Sequence, residues 1–168
     1  MGKRSTFDRR ERDFYPTPYE AVIPLLPHLY GTCIYHEPCC GNLDLILHLK
    51  RHGHICAEFG DIDQGKDAFD IQQTTARFFI TNPPWRRDIL HPLITHLRNM
   101  RPTWLLFDAD WMHTKQAATH LQYCQRIVSV GRLKWIPDTP HKGKDSCAWY
   151  LFQATKIETK FFGQRVAA

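Results

Sequence analysis

The stretch "FFITNPPWRR", Phe78 to Arg87, sets four apolar or β-branched residues ahead of Asn82, Pro83, Pro84 and Trp85, with Arg86 and Arg87 directly behind. Prolines cannot donate to a sheet ladder, so a strand entering this stretch must stop at Asn82. Asn-Pro is a common turn signal, which accounts for the prolines. It does not account for an exposed indole held at the tip of a turn beside two cations. Other unusual residues sit where strands are expected to end: "EPCCGN" after the first, Asp61 in "GDID" after the second and "DAD" after the apolar "TWLLF". The six cysteines, at 33, 39, 40, 56, 124 and 147, contain no Cys-x-x-Cys pair. His36 with Cys39 and Cys40 has no partner cluster, so neither structural zinc nor a disulfide framework is expected.

These residues need elements to position them. "TPYEAVIPLLPHL" has helical spacing, with Thr17 placed to act as N-cap and Pro18 at the first helical position; Pro24 and Pro27 would kink or shorten it. "TCIYHEP" is a short strand running into "CCGN", and "LDLILHLKRHG" is a helix stopped by Gly53. "HICAEFGDID" and "ARFFITN" are further strands. In "RDILHPLITHLRNM" Ile89, Leu90, Leu93, Ile94 and Leu97 form one apolar stripe at helical spacing. "TWLLFDA" is the most apolar strand and is expected at the centre. "DWMHTKQAATHLQYC" is expected to be a helix, and "RIVSVGRLKWI" and "CAWYLFQATK" an antiparallel pair at a sheet edge. Strands alternating with helices predict an α/β domain, a mostly parallel sheet with helices on both faces. The expected organisation is a basic N-terminal arm over 1–13, one domain over 14–160 and a tail over 161–168.

The bulk properties set limits. The chain has 168 residues, 43% hydrophobic and 23% charged, which are ordinary values for one globular domain. No run approaches a membrane span and the polar start has no signal-peptide core, so the expected setting is intracellular and cytoplasmic. A formal net charge of +5 permits a polyanionic partner, as it also permits a plain solvated surface.

In an open parallel sheet, ligands bind beyond the carboxyl ends of the strands. "EPCCGN", Asp61, Asn82 and "DAD" all fall there. In this order, with "DFYPTP" ahead of them, they resemble class I S-adenosylmethionine-dependent amino-methyltransferases, whose domain is Rossmann-like. More narrowly they are similar to the small DNA N6-adenine methyltransferase-like proteins of phages and prophages. "GRLKWIPDTPHKGKDSCAWYLF" resembles the last two strands of that group, and the likeness runs from Phe14 to about Phe152.

The resemblance implies S-adenosylmethionine as cofactor. It places Tyr15, Pro16, Thr17 and Pro18 against the amino-acid tail of that molecule. The turn after Glu37 and Pro38 would approach the same tail, with Gly41 allowing close passage of backbone. Asp61 is implied to accept the ribose hydroxyls, with Glu58 and Asp63 as nearby competitors. Asp70 is implied to accept from the adenine amine, and Ile71 to line that pocket. The catalytic set would be Asn82, Pro83, Pro84 and Trp85. An exocyclic base amine is a poor nucleophile because its lone pair is delocalised. The Asn82 side-chain oxygen and the Pro83 carbonyl could accept its hydrogens and localise that pair, with the prolines stiffening the turn. Trp85 would give an extruded base a flat face. Arg86, Arg87, Lys142 and Lys144 would meet nucleic-acid phosphates, DNA being the expected partner.

Two departures stand out. Relatives carry Gly-x-Gly in the cofactor turn, where this chain has Gly41-Asn42-Leu43. Leu43 would bring a Cβ and a bulky side chain to the ligand, while Asn42 tolerates a left-handed backbone that could rescue the turn. No stretch is spare enough to be a target-recognition region, so little sequence preference is expected, or a partner protein that supplies it. The same motif also serves RNA and protein glutamine, and loss of cofactor affinity through Leu43 would leave a non-catalytic binding module.

Overall fold

The computed structural model describes residues 15–136, 143 and 145–164, so the arm over 1–13, Lys142 and Lys144 lie outside the described residues. Seven strands form one sheet in the order β2-β1-β3-β4-β6-β5-β7. They are β1 (Ile34–Glu37), β2 (Ile55–Phe59), β3 (Phe78–Thr81), β4 (Thr103–Asp108), β5 (Cys124–Arg132), β6 (Ser146–Phe152) and β7 (Lys160–Phe162). β1, β2, β3 and β4 run parallel, and β6 lies antiparallel to both β4 and β5. The apolar β4 occupies the centre, as its composition requires.

Alternation along the strands sorts the core into two layers. Ile80, Trp104, Leu106, Trp149 and Leu151 join Val22, Leu25 and Leu49 on one face. Phe79, Leu105, Phe107, Tyr150 and Phe152 join Leu90, Leu93, Ile94 and Leu97 on the other. Those four come from α3 (Arg87–Met100) and are the buried part of its predicted stripe, while Ile89 stays half-buried. Each such side chain contributes roughly 1.5–3 kcal/mol by leaving water.

The helices depart from expectation. The first shrinks to α1 (Tyr19–Val22) plus a 3-10 turn over Leu26–His28, and its N-cap is Pro18 rather than Thr17. Thr17 is buried, with its hydroxyl committed elsewhere. α2 (Asp44–Arg51) ends as expected at Gly53, in left-handed backbone. The helix expected after β4 breaks into 3-10 turns over Ala109–His113 and Lys115–Ala117 and a single turn, α4 (Ala118–Leu121). Thr114 between them is extended and interrupts the helical path.

No helix links β2 to β3; two 3-10 turns, Ile62–Gln64 and Ala68–Asp70, take its place. Asp61 and Asp67 each accept a hydrogen bond from the amide two residues on. Such side-chain bonds compete with helix formation. β2 is left as an edge strand with Ile55 and Phe59 about half exposed. At the opposite edge β7 pairs parallel with β5, an element the sequence pattern did not announce and one that covers the expected edge of the antiparallel pair.

Candidate functional site

The parallel strands deliver Glu37, Asp61, Asn82 and Asp108 to one end of the sheet. The turn after β1 is knitted to the end of β2 by backbone bonds, Gly60 N to Glu37 O at 3.0 Å and Cys40 N to Gly60 O at 2.9 Å. The buried Asp61 carboxylate adds a third tie, with Oδ2 accepting from Gly41 N at 2.8 Å and Oδ1 from Asp63 N at 3.0 Å. Asp61 is thus a brace for the turn, and it also lines the cavity, with acceptor capacity left on each oxygen.

Gly41 (φ 47°) and Leu43 (φ 69°) are both left-handed. The backbone therefore follows a path that suits glycine at both positions, although the second carries a leucine. Leu43 N closes a turn onto Cys40 O at 2.8 Å. Its side chain is not among the walls of the cavity, whereas Asn42, Asp44 and Leu45 are. The expected contact between Leu43 and a ligand therefore has no counterpart in the walls of the cavity.

At the end of β3 the Asn82 amide is held from two sides. Nδ2 donates to Tyr15 O at 3.3 Å and to Thr17 Oγ1 at 3.2 Å. Oδ1 accepts from Trp85 Nε1 at 3.3 Å, and the same indole N–H reaches Leu106 O at 3.2 Å. Two acceptors on one side and a donor on the other fix which way the amide points. Trp85 is consequently not an exposed tip. It is half-buried, packs against both core layers, and meets Trp135 edge-on with ring centres 5.6 Å apart. Tyr15 lies 6.1 Å from Trp135 on the other side.

The cavity has a volume of about 320 Å³, within the size range of small-molecule sites. Tyr15, Pro16, Thr17, Pro38, Gly41 and Pro84 line it, as the sequence led one to expect, together with Asn82. Glu37, Asp44, Asp61, Asp63 and Asp67 are five acidic residues in its walls, and no Lys, Arg or His lines it among the described residues. Asp70 and Ile71 do not reach it. The 3-10 turn over Ala68–Asp70 presents Asp67, Ala68 and Phe69 here instead, and sends Asp70 and Ile71 to an adjoining groove of about 590 Å³. Asp44, Asp67 and Phe69 escaped sequence reasoning. The one available signal was Asp67 placed two residues ahead of Phe69, the spacing of an aspartate that caps its own turn.

Glu37 is 1% exposed and its Oε2 has no hydrogen-bond partner among the described residues. Burial lifts its carboxyl to about 8, against hydrogen bonding that pulls it down. Burial, with Glu37 next, also pushes the Cys39 thiol well above the ordinary range. His36 faces away from these cysteines, toward Thr74 at 3.3 Å and Glu58 at 3.7 Å. Of the expected phosphate contacts, Arg86 is engaged by Asp88 at 2.6 Å and Arg87 by Gln116 at 2.9 Å, both on the surface.

No family model and no curated protein matches the sequence. Solved structures do match the fold. One described as an RNA methyltransferase from Pyrococcus horikoshii superposes with a TM-score of 0.55 over 86% of this chain and 88% of its own, at 15% identity. A class I S-adenosylmethionine-dependent methyltransferase from Listeria monocytogenes gives 0.57 over 94% and 67%, at 10% identity. A dimethyladenosine transferase from Plasmodium falciparum gives 0.50 at 13% identity, and this chain spans 62% of its length. The fold is therefore that of class I methyltransferases.

Proposed function

We propose that this protein is an S-adenosylmethionine-dependent methyltransferase acting on the exocyclic amine of a nucleic-acid base, adenine N6 first among them. The observation that carries this is the cavity, whose walls among the described residues hold five acidic residues and no cation and end at a locked Asn82 amide. S-adenosylmethionine carries a sulfonium and an α-ammonium, and the buried Glu37 carboxyl, near the Thr81 hydroxyl, would be an acceptor for such a cation. Glu37, Gly41 and Asp61 would hold it with Tyr15, Pro16 and Thr17, and Asp67 and Phe69 take the role first assigned to Asp70 and Ile71. When bound, it supplies an electrophilic methyl group.

The chain's own residues prepare the acceptor. Asn82 Oδ1 spends one lone pair on the indole and keeps one for a substrate amine; the Pro83 carbonyl is the second acceptor. Accepting both amine hydrogens localises the nitrogen lone pair and orients it. An amide cannot serve as a general base, so Asn82 polarises and positions, and the proton freed after methylation leaves to water. Half-buried Tyr15, Trp85 and Trp135 offer aromatic surface beside Asn82 for a planar base. Arg86 and Arg87, with Lys142 and Lys144 outside the described residues, are the proposed phosphate contacts.

The carrier of the base is DNA on the sequence resemblance. Two structural neighbours whose descriptions name RNA or adenosine bring RNA in as a second reading. The test is transfer of labelled methyl to unmethylated mixed-sequence DNA and RNA at two salt concentrations, with Asn82→Ala as control. Transfer spread over many sequence contexts is expected, lost in the variant, and weakened by salt with a slope of about −0.9 per phosphate contacted on duplex DNA. Failure of the protein to bind S-adenosylmethionine, or Asn82→Ala with wild-type transfer, would overturn the proposal.

A further inference from the structure

The strap formed by residues 15–18 reads Tyr-Pro-Thr-Pro, and its two prolines have no N–H to give. What holds such a segment must come largely from donors elsewhere that reach its oxygens. Asn82 Nδ2 supplies two of these bonds, to Tyr15 O and Thr17 Oγ1. A third comes from α2, where His48 Nε2 lies 3.1 Å from Thr17 O. A carbonyl can only accept, so Nε2 carries the hydrogen and this contact fixes the tautomer. His48 Nδ1 is buried with no partner among the described residues, so the ring is placed for this one bond. Tyr19, just after the strap, packs edge-on against the His48 ring at 5.3 Å and stacks on His52 at 5.9 Å, its hydroxyl 2.9 Å from His52 Nε2.

We infer that His48 is a positioning residue, which anchors the strap over the cavity from the helix side and through Thr17 holds the Asn82 amide in its working orientation. His48 is not itself a wall of the cavity. It acts at one remove, through Thr17 O to the strap and through Thr17 Oγ1 to Asn82. Opening of the strap would take away Tyr15, Pro16 and Thr17 from the cavity and both acceptors from Asn82 Nδ2 together. Cofactor retention and orientation of the target amine are thus coupled to one hydrogen bond on α2. The part concerning transfer rests on the proposed function; the anchoring of the strap does not.

The experiment compares His48→Leu, which keeps bulk and removes the donor, with His48→Gln, whose Nε2 stands close to that of the histidine. Hydrogen exchange over residues 15–22 of the free protein is measured first, then S-adenosylmethionine affinity and labelled transfer. For His48→Leu, exchange of the strap and α1 should rise about tenfold, the effect of one hydrogen bond, with the rest of the sheet unchanged. Cofactor affinity and kcat should both fall, with the KM for nucleic acid little altered, and His48→Gln should restore most of each. Unchanged exchange in His48→Leu, or His48→Gln no better than His48→Leu, overturns the inference. If His48→Leu does not fold, His48→Asn takes its place, since its shorter amide cannot reach Thr17 O. Wild-type protein that binds no S-adenosylmethionine while showing the expected exchange pattern would sink the proposed function and leave the strap anchor standing.

Discussion

Leu43→Gly separates strain from ligand crowding in the turn after β1. Leu43 holds φ 69° at the start of α2, where no side chain caps the helix. A left-handed backbone costs a residue with a Cβ roughly 1–2 kcal/mol. Glycine removes that cost but brings a more flexible unfolded chain, about 0.5–1 kcal/mol in the other direction. The leucine side chain is partly buried and belongs to neither apolar core layer, so its loss should subtract about 1 kcal/mol. The three contributions nearly cancel, so Leu43→Gly should stay within about 0.5 kcal/mol of wild type, a shift of roughly 1–2 °C in Tm at most for a domain of this length. Leu43→Ala keeps the strain, loses the contacts and should fall below wild type. Thermal unfolding of the three proteins, followed by circular dichroism, gives the order. Titration calorimetry with S-adenosylmethionine should give the same affinity for wild type and Leu43→Gly, because the leucine is no wall of the cavity. Tenfold tighter binding in Leu43→Gly would mean that the side chain does crowd the ligand. A loss of 1 kcal/mol or more would mean that it is packing, and either result refutes the strain account.

Three further outcomes follow from the same site. The Glu37 carboxyl is raised from 4.5 to about 8, so the stability contributed by its neutral form is complete below about pH 4.5 and lost as pH rises through about 8; chemical denaturation across that window should show the decline in wild type and its absence in Glu37→Gln. A bound ammonium would favour the carboxylate, so cofactor affinity should climb toward pH 8 with release of a proton, seen by calorimetry in buffers of differing ionisation enthalpy, and a pH-independent affinity would speak against Glu37 as its partner. Trp85→Phe keeps a ring but strips the N–H from Asn82 Oδ1 and Leu106 O, and should cost about 1–2 kcal/mol in denaturant titration together with much of the transfer rate, whereas wild-type behaviour would limit the indole to packing.

The layered sheet was legible because its signals are periodic. The stripe in α3, the apolar β4 and the strand stop at Asn82 follow from spacing and from what proline cannot do. The cavity walls were legible where a motif sits at a strand end, as at Glu37, Gly41 and Asn82. The linker between β2 and β3 was not, since Asp61 and Asp67 spend their side chains on amides two residues away and shape it into 3-10 turns that no apolar spacing announces. A shift of a few residues in such a turn decides whether Asp67 and Phe69 or Asp70 and Ile71 line the cavity beside Asn82, and no pattern of hydrophobicity encodes it. Thr17 misled for a related reason. A threonine before a proline has the look of an N-cap, but its hydroxyl had a stronger claim on it 65 residues away.

The identity of the aromatic after the two prolines has a consequence for Asn82. A side-chain amide is nearly symmetric in shape, and only its hydrogen-bond partners decide whether oxygen or nitrogen faces a substrate. Here both nitrogen hydrogens go to the strap, at Tyr15 O and Thr17 Oγ1, and the oxygen takes the indole N–H of Trp85. A phenylalanine at that position has no donor to give, and a flipped amide would then lose only the strap. With tryptophan a flip would set Nδ2 against an N–H donor and Oδ1 against two acceptors, leaving three hydrogen bonds broken at roughly 1 kcal/mol or more each. The acceptor lone pair that remains on Oδ1 is therefore aimed before any target arrives. That preorganisation depends on an indole from the β3 turn, a strap from the start of the described chain and a histidine on α2, which together tie the cofactor cavity to the place where the amine would be held.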